Sequence, residues 1–252
     1  MKKIVLSLCL LCIAVAGALL FRHQQASAPA RTYSNGQAAS SFNKKQYSID
    51  EVASLWAVVN KGRALPSSYA PAGLTVPNVP LSEGGGSDNM HVRADTASAL
   101  ESLVNGASGA GIKLMLVSGY RSYSTQKAVY GGYVTSQGQA FADSTSARAG
   151  HSEHQTGLAA DLGAASRACQ LEQCFGDTRE GKWLAANAHS YGFIIRYQKG
   201  QESLSGYEYE PWHIRYIGKE LGAQLYSSGQ TMEQFFGLPA YSSYPAAPFS
   251  LK

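Results

Sequence analysis

Ser152-Glu153-His154-Gln155-Thr156-Gly157-Leu158-Ala159-Ala160-Asp161 is the stretch on which the reading of this chain turns. Its second half alternates with a period of two, which predicts a strand. Leu158, Ala160 and Leu162 face one side of that strand, and Gly157, Ala159 and Asp161 face the other. The first side is apolar and suits a core. The second is made of small residues ending in a carboxylate, so it leaves room for another group to approach. His154 precedes Asp161 by seven positions, far enough for the intervening turn to fold back and bring the imidazole to the carboxylate. An imidazole and a carboxylate above a small-residue floor look like a pair of divalent-metal ligands; the plainer reading of these ten residues alone is a surface histidine and a strand-end aspartate.

Working downstream, Glu210-Pro211-Trp212-His213 lies in a segment, Tyr207 to Ile217, that reads as another strand. Positions i and i+3 of a regular strand face opposite ways. Pro211 cannot donate to a ladder, so the backbone bends there and both Glu210 and His213 can reach one cleft. His213 completes a His/Asp/His set that leaves a fourth position open for water, the arrangement of a catalytic zinc. Glu210 then serves as general base rather than ligand. Taken singly, Glu210 reads as an acid on a strand rim and His213 as a core histidine; together with His154 and Asp161 they do not. Working upstream, Ile112 to Ser118 reads as a short buried strand, followed at once by Gly119-Tyr120-Arg121-Ser122. An arginine just past a buried strand is placed to enter a cleft, where its guanidinium can clamp a carboxylate or share the charge on a carbonyl oxygen. Gln126, in the first turn of the next helix (about 125–136), falls near it.

Elsewhere, Ser48-Ile49-Asp50-Glu51 is a capping box followed by Val52, Leu55, Trp56 and Val59 at helical spacing, which predicts a helix ending near Gly62. Residues 64–92 are rich in Pro, Gly and Ser and read as irregular structure. Helices are expected near 95–107, from the capping box at Asp177-Thr178-Arg179-Glu180 to Gly192, near 218–227 and at 232–236, with a strand at Phe193 to Tyr197. Strands and helices without regular β-α-β spacing predict one α+β domain over 48–238, with a flexible tail at 239–252.

The first residues read differently. Lys2 and Lys3 precede an apolar run from Ile4 to Phe21, as in a secretory signal or an N-terminal membrane anchor within 1–30. A low-complexity linker at 31–47 follows. Either way the remainder is expected outside the cytoplasm, secreted or anchored through residues 4–21 to the outer face of the membrane. The formal charge is +4, but beyond residue 30 there are 18 basic residues against 17 acidic, with no basic run, which argues against a nucleic-acid partner. Cys9 and Cys12 sit in the apolar run. Cys169 and Cys174 are too few for a closed thiolate site and, in an exported protein, are expected to pair as a local disulfide.

Three motifs in order, Ser118-Gly119-Tyr120-Arg121-Ser122-Tyr123-Ser124-Thr125-Gln126, Ser152-x-His154-x-x-Gly157-x-Ala159-x-Asp161 and Glu210-Pro211-Trp212-His213-x-Arg215-Tyr216, resemble those of the VanY-type D-alanyl-D-alanine carboxypeptidases. That family belongs with the zinc peptidases of the lysostaphin and hedgehog group, and the resemblance spans about residues 55–230. It implies a small antiparallel sheet flanked by helices, with a zinc cleft on the sheet. It implies one Zn2+ held by His154, Asp161 and His213, with Glu210 as base and Arg121 at the carbonyl. Ser152 and Gln126 are implied to hold the terminal D-alanine. The implied substrate is the peptidoglycan stem peptide, cut at its C-terminal D-alanine. Nothing in the sequence suggests an oligomer, and a monomer is expected. An L,D-carboxypeptidase or a peptidoglycan endopeptidase would share these motifs. A wall-binding module that has lost catalysis would have no need of Glu210.

Overall fold

The computed structural model describes residues 42–252, and Asn43–Lys252 form one compact unit. At its centre is a four-stranded antiparallel sheet of β1 (Leu114–Ser118), β2 (Ala159–Ala164), β3 (Phe193–Tyr197) and β4 (Glu210–Tyr216), in the spatial order β1-β2-β4-β3. Helices flank it: α1 (Ala94–Gly109), α2 (Tyr123–Gln137), α3 (Gln139–Thr145), α4 (Arg179–Asn187), α5 (Lys219–Ser228) and α6 (Met232–Phe236). The α+β fold with a small antiparallel sheet is as expected.

The alternation along β2 sorts its side chains as its sequence predicts. Ala160 and Leu162 join the main core with Leu100 and Leu103 of α1, Leu116 of β1 and Ile214 of β4. Asp161 points to the opposite face, where its register partner on β4 is His213. Two irregularities then shape that face. Pairing between β3 and β4 runs from Ile195↔Ile214 to Tyr197↔Glu210, so β4 carries two extra residues around Pro211 and Trp212. This bulge turns Glu210 onto the same side as His213. A second bulge between Leu116 and Ser118 on β1 sets the exit of that strand into the Arg121 turn.

Three expectations are corrected. No helix forms over 48–62. The Ser48 hydroxyl does accept from the Asp50 and Glu51 amides, but Trp56, Ala57, Val58 and Val59 are buried in succession, which a helix with one wet face cannot achieve. The carbonyls a helix would need are taken instead by arginines, Leu55 and Ala57 by Arg215, Ile49 and Val58 by Arg63. The last residues are not a free tail. Phe249–Ser250 pairs with Arg63–Ala64, Leu251 is buried with Ala57, Val59 and Leu65, and the Tyr244 hydroxyl accepts from the Arg148 amide. Finally, α4 is capped by the Thr178 side chain, accepting from the Gly181 amide, rather than by Asp177. The expected signal or anchor at 1–30, and the linker up to residue 41, lie outside the described residues. No helix among those described is long and apolar enough to cross a membrane.

Candidate metal centre and cleft

His154 lies in a short 3-10 turn, Glu153–Thr156, that stops at Gly157 with φ +69°. A side chain there would also crowd Arg93, 3.0 Å from the position of a Cβ, so the turn that returns His154 to the sheet requires glycine. The imidazole is pinned by its Nδ1, 2.6 Å from the Gly119 carbonyl, and its Nε2 lies 3.3 Å from Asp161 Oδ2. Across the sheet, His213 Nδ1 lies 3.1 Å from Asp161 Oδ1. The two imidazole rings meet edge to face with centroids 4.9 Å apart. One ligating atom from each of His154, Asp161 and His213 can be chosen within 4.8 Å of the others, and all three residues are buried.

These residues fit a divalent cation. Asp161 Oδ1 is buried, and despite its closeness to His213 it has no aligned hydrogen-bond donor among the described residues. Its lone pair is left for a third party. The electrostatics favour a positive charge at the same point. Burial opposes ionisation of Asp161, yet the two histidines hold its carboxyl well below the usual range. Burial likewise opposes a charge on His213, but the Asp161 and Glu153 carboxylates beside it lift its pKa to about 10. Two imidazole nitrogens and one carboxylate oxygen are a zinc-type donor set with room for a fourth ligand.

Glu210 stands beside this set, its Oε2 3.5 Å from His213 Nδ1. Burial pushes its pKa up to about 8, with the His213 charge opposing. Arg121 enters from the turn after β1. Its Nη1 donates to Gln126 Oε1 at 2.8 Å, its Nη2 to Ser118 Oγ at 3.0 Å, and its backbone amide to the His154 carbonyl. Ser152 and Gln126 both line the cleft. Gln126 is only 1% exposed, and its Nε2 donates to the Ala147 carbonyl and Ser146 Oγ. Both ends of its amide are therefore engaged within the protein.

The cleft has a volume of about 380 Å³. One wall is the α2–α3 hairpin with Tyr133 and Phe141. The other carries Leu171, Glu172 and Gln173, from the loop closed by the Cys169–Cys174 disulfide, and Tyr209. Beneath the floor lies a group that motif spacing did not single out. Glu153 is wholly buried, and its Oε1 accepts from both Arg196 and Arg215. Arg196 also makes two bonds to Glu233 of α6. A carboxylate next to His154 in sequence was the available signal, but its arginine partners lie 43 and 62 residues away.

Comparison with known proteins agrees with this geometry. Residues 89–219 match the family model described as VanY, D-alanyl-D-alanine carboxypeptidase. YodJ of Bacillus subtilis (strain 168), provisionally named a carboxypeptidase, is 41% identical over 188 residues, covering 75% of this chain and 69% of its own. The LdcB LD-carboxypeptidase, whose structure was described as revealing peptidoglycan recognition, superposes with a TM-score of 0.71 at 41% identity, covering 74% of this chain and 87% of its own. A point mutant of the vancomycin-resistance D,D-pentapeptidase VanY from a VanB-type resistance cassette, solved with Zn(II), superposes with a TM-score of 0.58 at 27% identity, covering 74% and 99%.

Proposed function

The chain belongs to the VanY family of D-alanyl-D-alanine carboxypeptidases and is a metallopeptidase, and on that premise we propose that it removes the C-terminal D-alanine from peptidoglycan stem peptides. The observation that carries this reading is the convergence of His154, Asp161, His213, Glu210 and Arg121 in one cleft. His154 Nε2, an Asp161 carboxylate oxygen and His213 Nδ1 would hold one zinc ion. When bound, zinc supplies Lewis acidity to the attacking water and to the scissile carbonyl.

The chain's own groups do the rest. A Glu210 carboxylate oxygen takes the proton released by the attacking water and delivers it to the departing amine nitrogen. Its burial raises its basicity for that task. The Arg121 guanidinium faces the charge that develops on the carbonyl oxygen. Gln126 acts one step back from the substrate: with Ser118 it fixes the guanidinium plane, the role its engaged amide supports in place of direct contact with D-alanine. The Ser152 hydroxyl, in the lining of the cleft, is assigned to the terminal carboxylate. All these groups come from one chain, so a monomer suffices. A peptidoglycan substrate places the enzyme outside the cytoplasmic membrane.

The bond we assign is the L,D bond of the tetrapeptide stem. The support is the greater likeness to the LD-carboxypeptidase, at 41% identity and TM-score 0.71, than to the D,D-pentapeptidase, at 27% and 0.58. The D,D bond of the pentapeptide stem is the second reading, favoured by the family description; the motifs serve both. Tetrapeptide and pentapeptide muropeptides, offered side by side to the zinc-loaded protein, separate them by mass spectrometry. Loss of one alanine from the tetrapeptide is expected. Loss from the pentapeptide alone moves the assignment to the D,D bond, and cleavage of neither defeats the carboxypeptidase reading.

A further inference from the structure

We propose that Glu153 is the positioning residue of this centre: with metal bound, its Oε2 is the acceptor for the proton on His213 Nε2, and it so aims Nδ1 of that ring at the metal. The proposal rests on reading His154, Asp161 and His213 as zinc ligands. Two buried atoms motivate it. Glu153 Oε2 and His213 Nε2 each have no hydrogen-bond partner among the described residues, and they lie 3.5 Å apart. On the other side of the ring, Nδ1 lies 3.1 Å from Asp161 Oδ1, the same carboxylate that His154 Nε2 approaches. His213 is thus strung between two carboxylates, and one of its nitrogens faces the ligand set while the other faces dry protein. A ligating nitrogen carries no proton, so the ring proton belongs on Nε2, where Glu153 Oε2 is the acceptor.

The carboxylate is held in place for this. Its other oxygen accepts from Arg196 Nε at 2.9 Å and Arg215 Nη1 at 2.7 Å. Arg196 is anchored in turn by Glu233, and Arg215 by the carbonyls of Leu55 and Ala57. Neutralising two arginines needs a carboxylate, but not one whose free oxygen is aimed at His213. The two histidines are also treated differently. His154 has its outer nitrogen on a backbone carbonyl, that of Gly119, whereas His213 is given a buried charge.

Glu153→Gln tests the idea, since it keeps the side chain's size and one oxygen for the arginines but presents an amide N–H to His213 Nε2. Competition with a chromogenic chelator is expected to show zinc affinity lowered about 10- to 100-fold, while thermal unfolding of the metal-free variant shows that it folds. An affinity within about twofold of wild type in a folded variant overturns the proposal, because a hydrogen-bond partner that orients a ligating histidine is worth more than that. Should the variant not fold, histidine 15N spectra of the zinc-loaded wild type decide. Nε2 protonated and Nδ1 ligated on His213 supports the proposal; Nε2 bare overturns it. Wild-type protein that takes up no zinc defeats the metal reading itself, and the proposal with it.

Discussion

On the floor of the cleft, Asp161 and His213 sit opposite one another on paired strands, His154 is held by a backbone carbonyl, and Glu153 is locked between two arginines. On its rim, Tyr133, Phe141 and Leu171 are 38%, 41% and 42% exposed. His154, Asp161, His213 and Glu153 are buried, and the Arg121 guanidinium is held by Gln126 and Ser118. The rim side chains are carried by a two-helix hairpin and a disulfide-closed loop. On the proposed function, preorganisation is concentrated around the metal ligands, and the exposed rim is left to meet the rest of the substrate. Substitutions on the floor should therefore act on chemistry, and those on the rim on binding.

The largest effect expected is from His154→Ala, which removes a proposed ligand and should abolish both zinc retention and turnover, measured by metal analysis and by release of D-alanine. Next comes Glu210→Ala, expected to lower kcat by about 10²–10⁴-fold, the range for loss of a general base. Arg121→Ala should lower kcat by about 10²–10³-fold, as for removal of an oxyanion donor, with a smaller loss in Gln126→Ala because Ser118 still holds the guanidinium. A KM change with kcat intact in Arg121→Ala would move that residue from the floor to the rim.

The floor also predicts a pH dependence. As the proposed base, Glu210 must be ionised to accept a proton, so activity is expected to fall as pH drops through its pKa. Burial lifts that value to about 8, and a bound divalent cation draws it back down. The acid limb of kcat/KM in the zinc enzyme should therefore lie below 8 but above about 4.3, the ordinary glutamate value. A profile flat down to pH 4 would contradict the base assignment.

Rim changes should be the mildest. Phe141→Ala or Leu171→Ala is expected to raise KM a few-fold with kcat unchanged and to shift stability by less than about 0.5 kcal/mol, as for exposed sites. A large kcat loss in either would erase the contrast between floor and rim.

The same contrast separates what the sequence reveals from what it hides. Alternation along Leu158–Leu162 puts Asp161 opposite the core, and Pro211 announces the bend that lets Glu210 join His213; both are local rules and both hold in the structure. The failures are non-local. The Ser48 hydroxyl accepts from the Asp50 and Glu51 amides as a cap would, but Arg63 and Arg215 claim the carbonyls that a helix would use. The polar, proline-containing composition of 239–252 suggests a loose tail, yet Leu251 completes a small cluster whose other members lie at 57, 59 and 65. Glu153 gains its meaning only when residues from β3 and β4 reach it. No window of neighbouring residues contains that information.

Zinc content of purified Glu210→Ala, set beside wild type and His154→Ala, tests the division of labour on the floor most directly. One zinc per chain is expected in wild type and in inactive Glu210→Ala, and none in His154→Ala. Zinc retained by His154→Ala, or lost from Glu210→Ala, would show that the ligands and the base have been wrongly assigned.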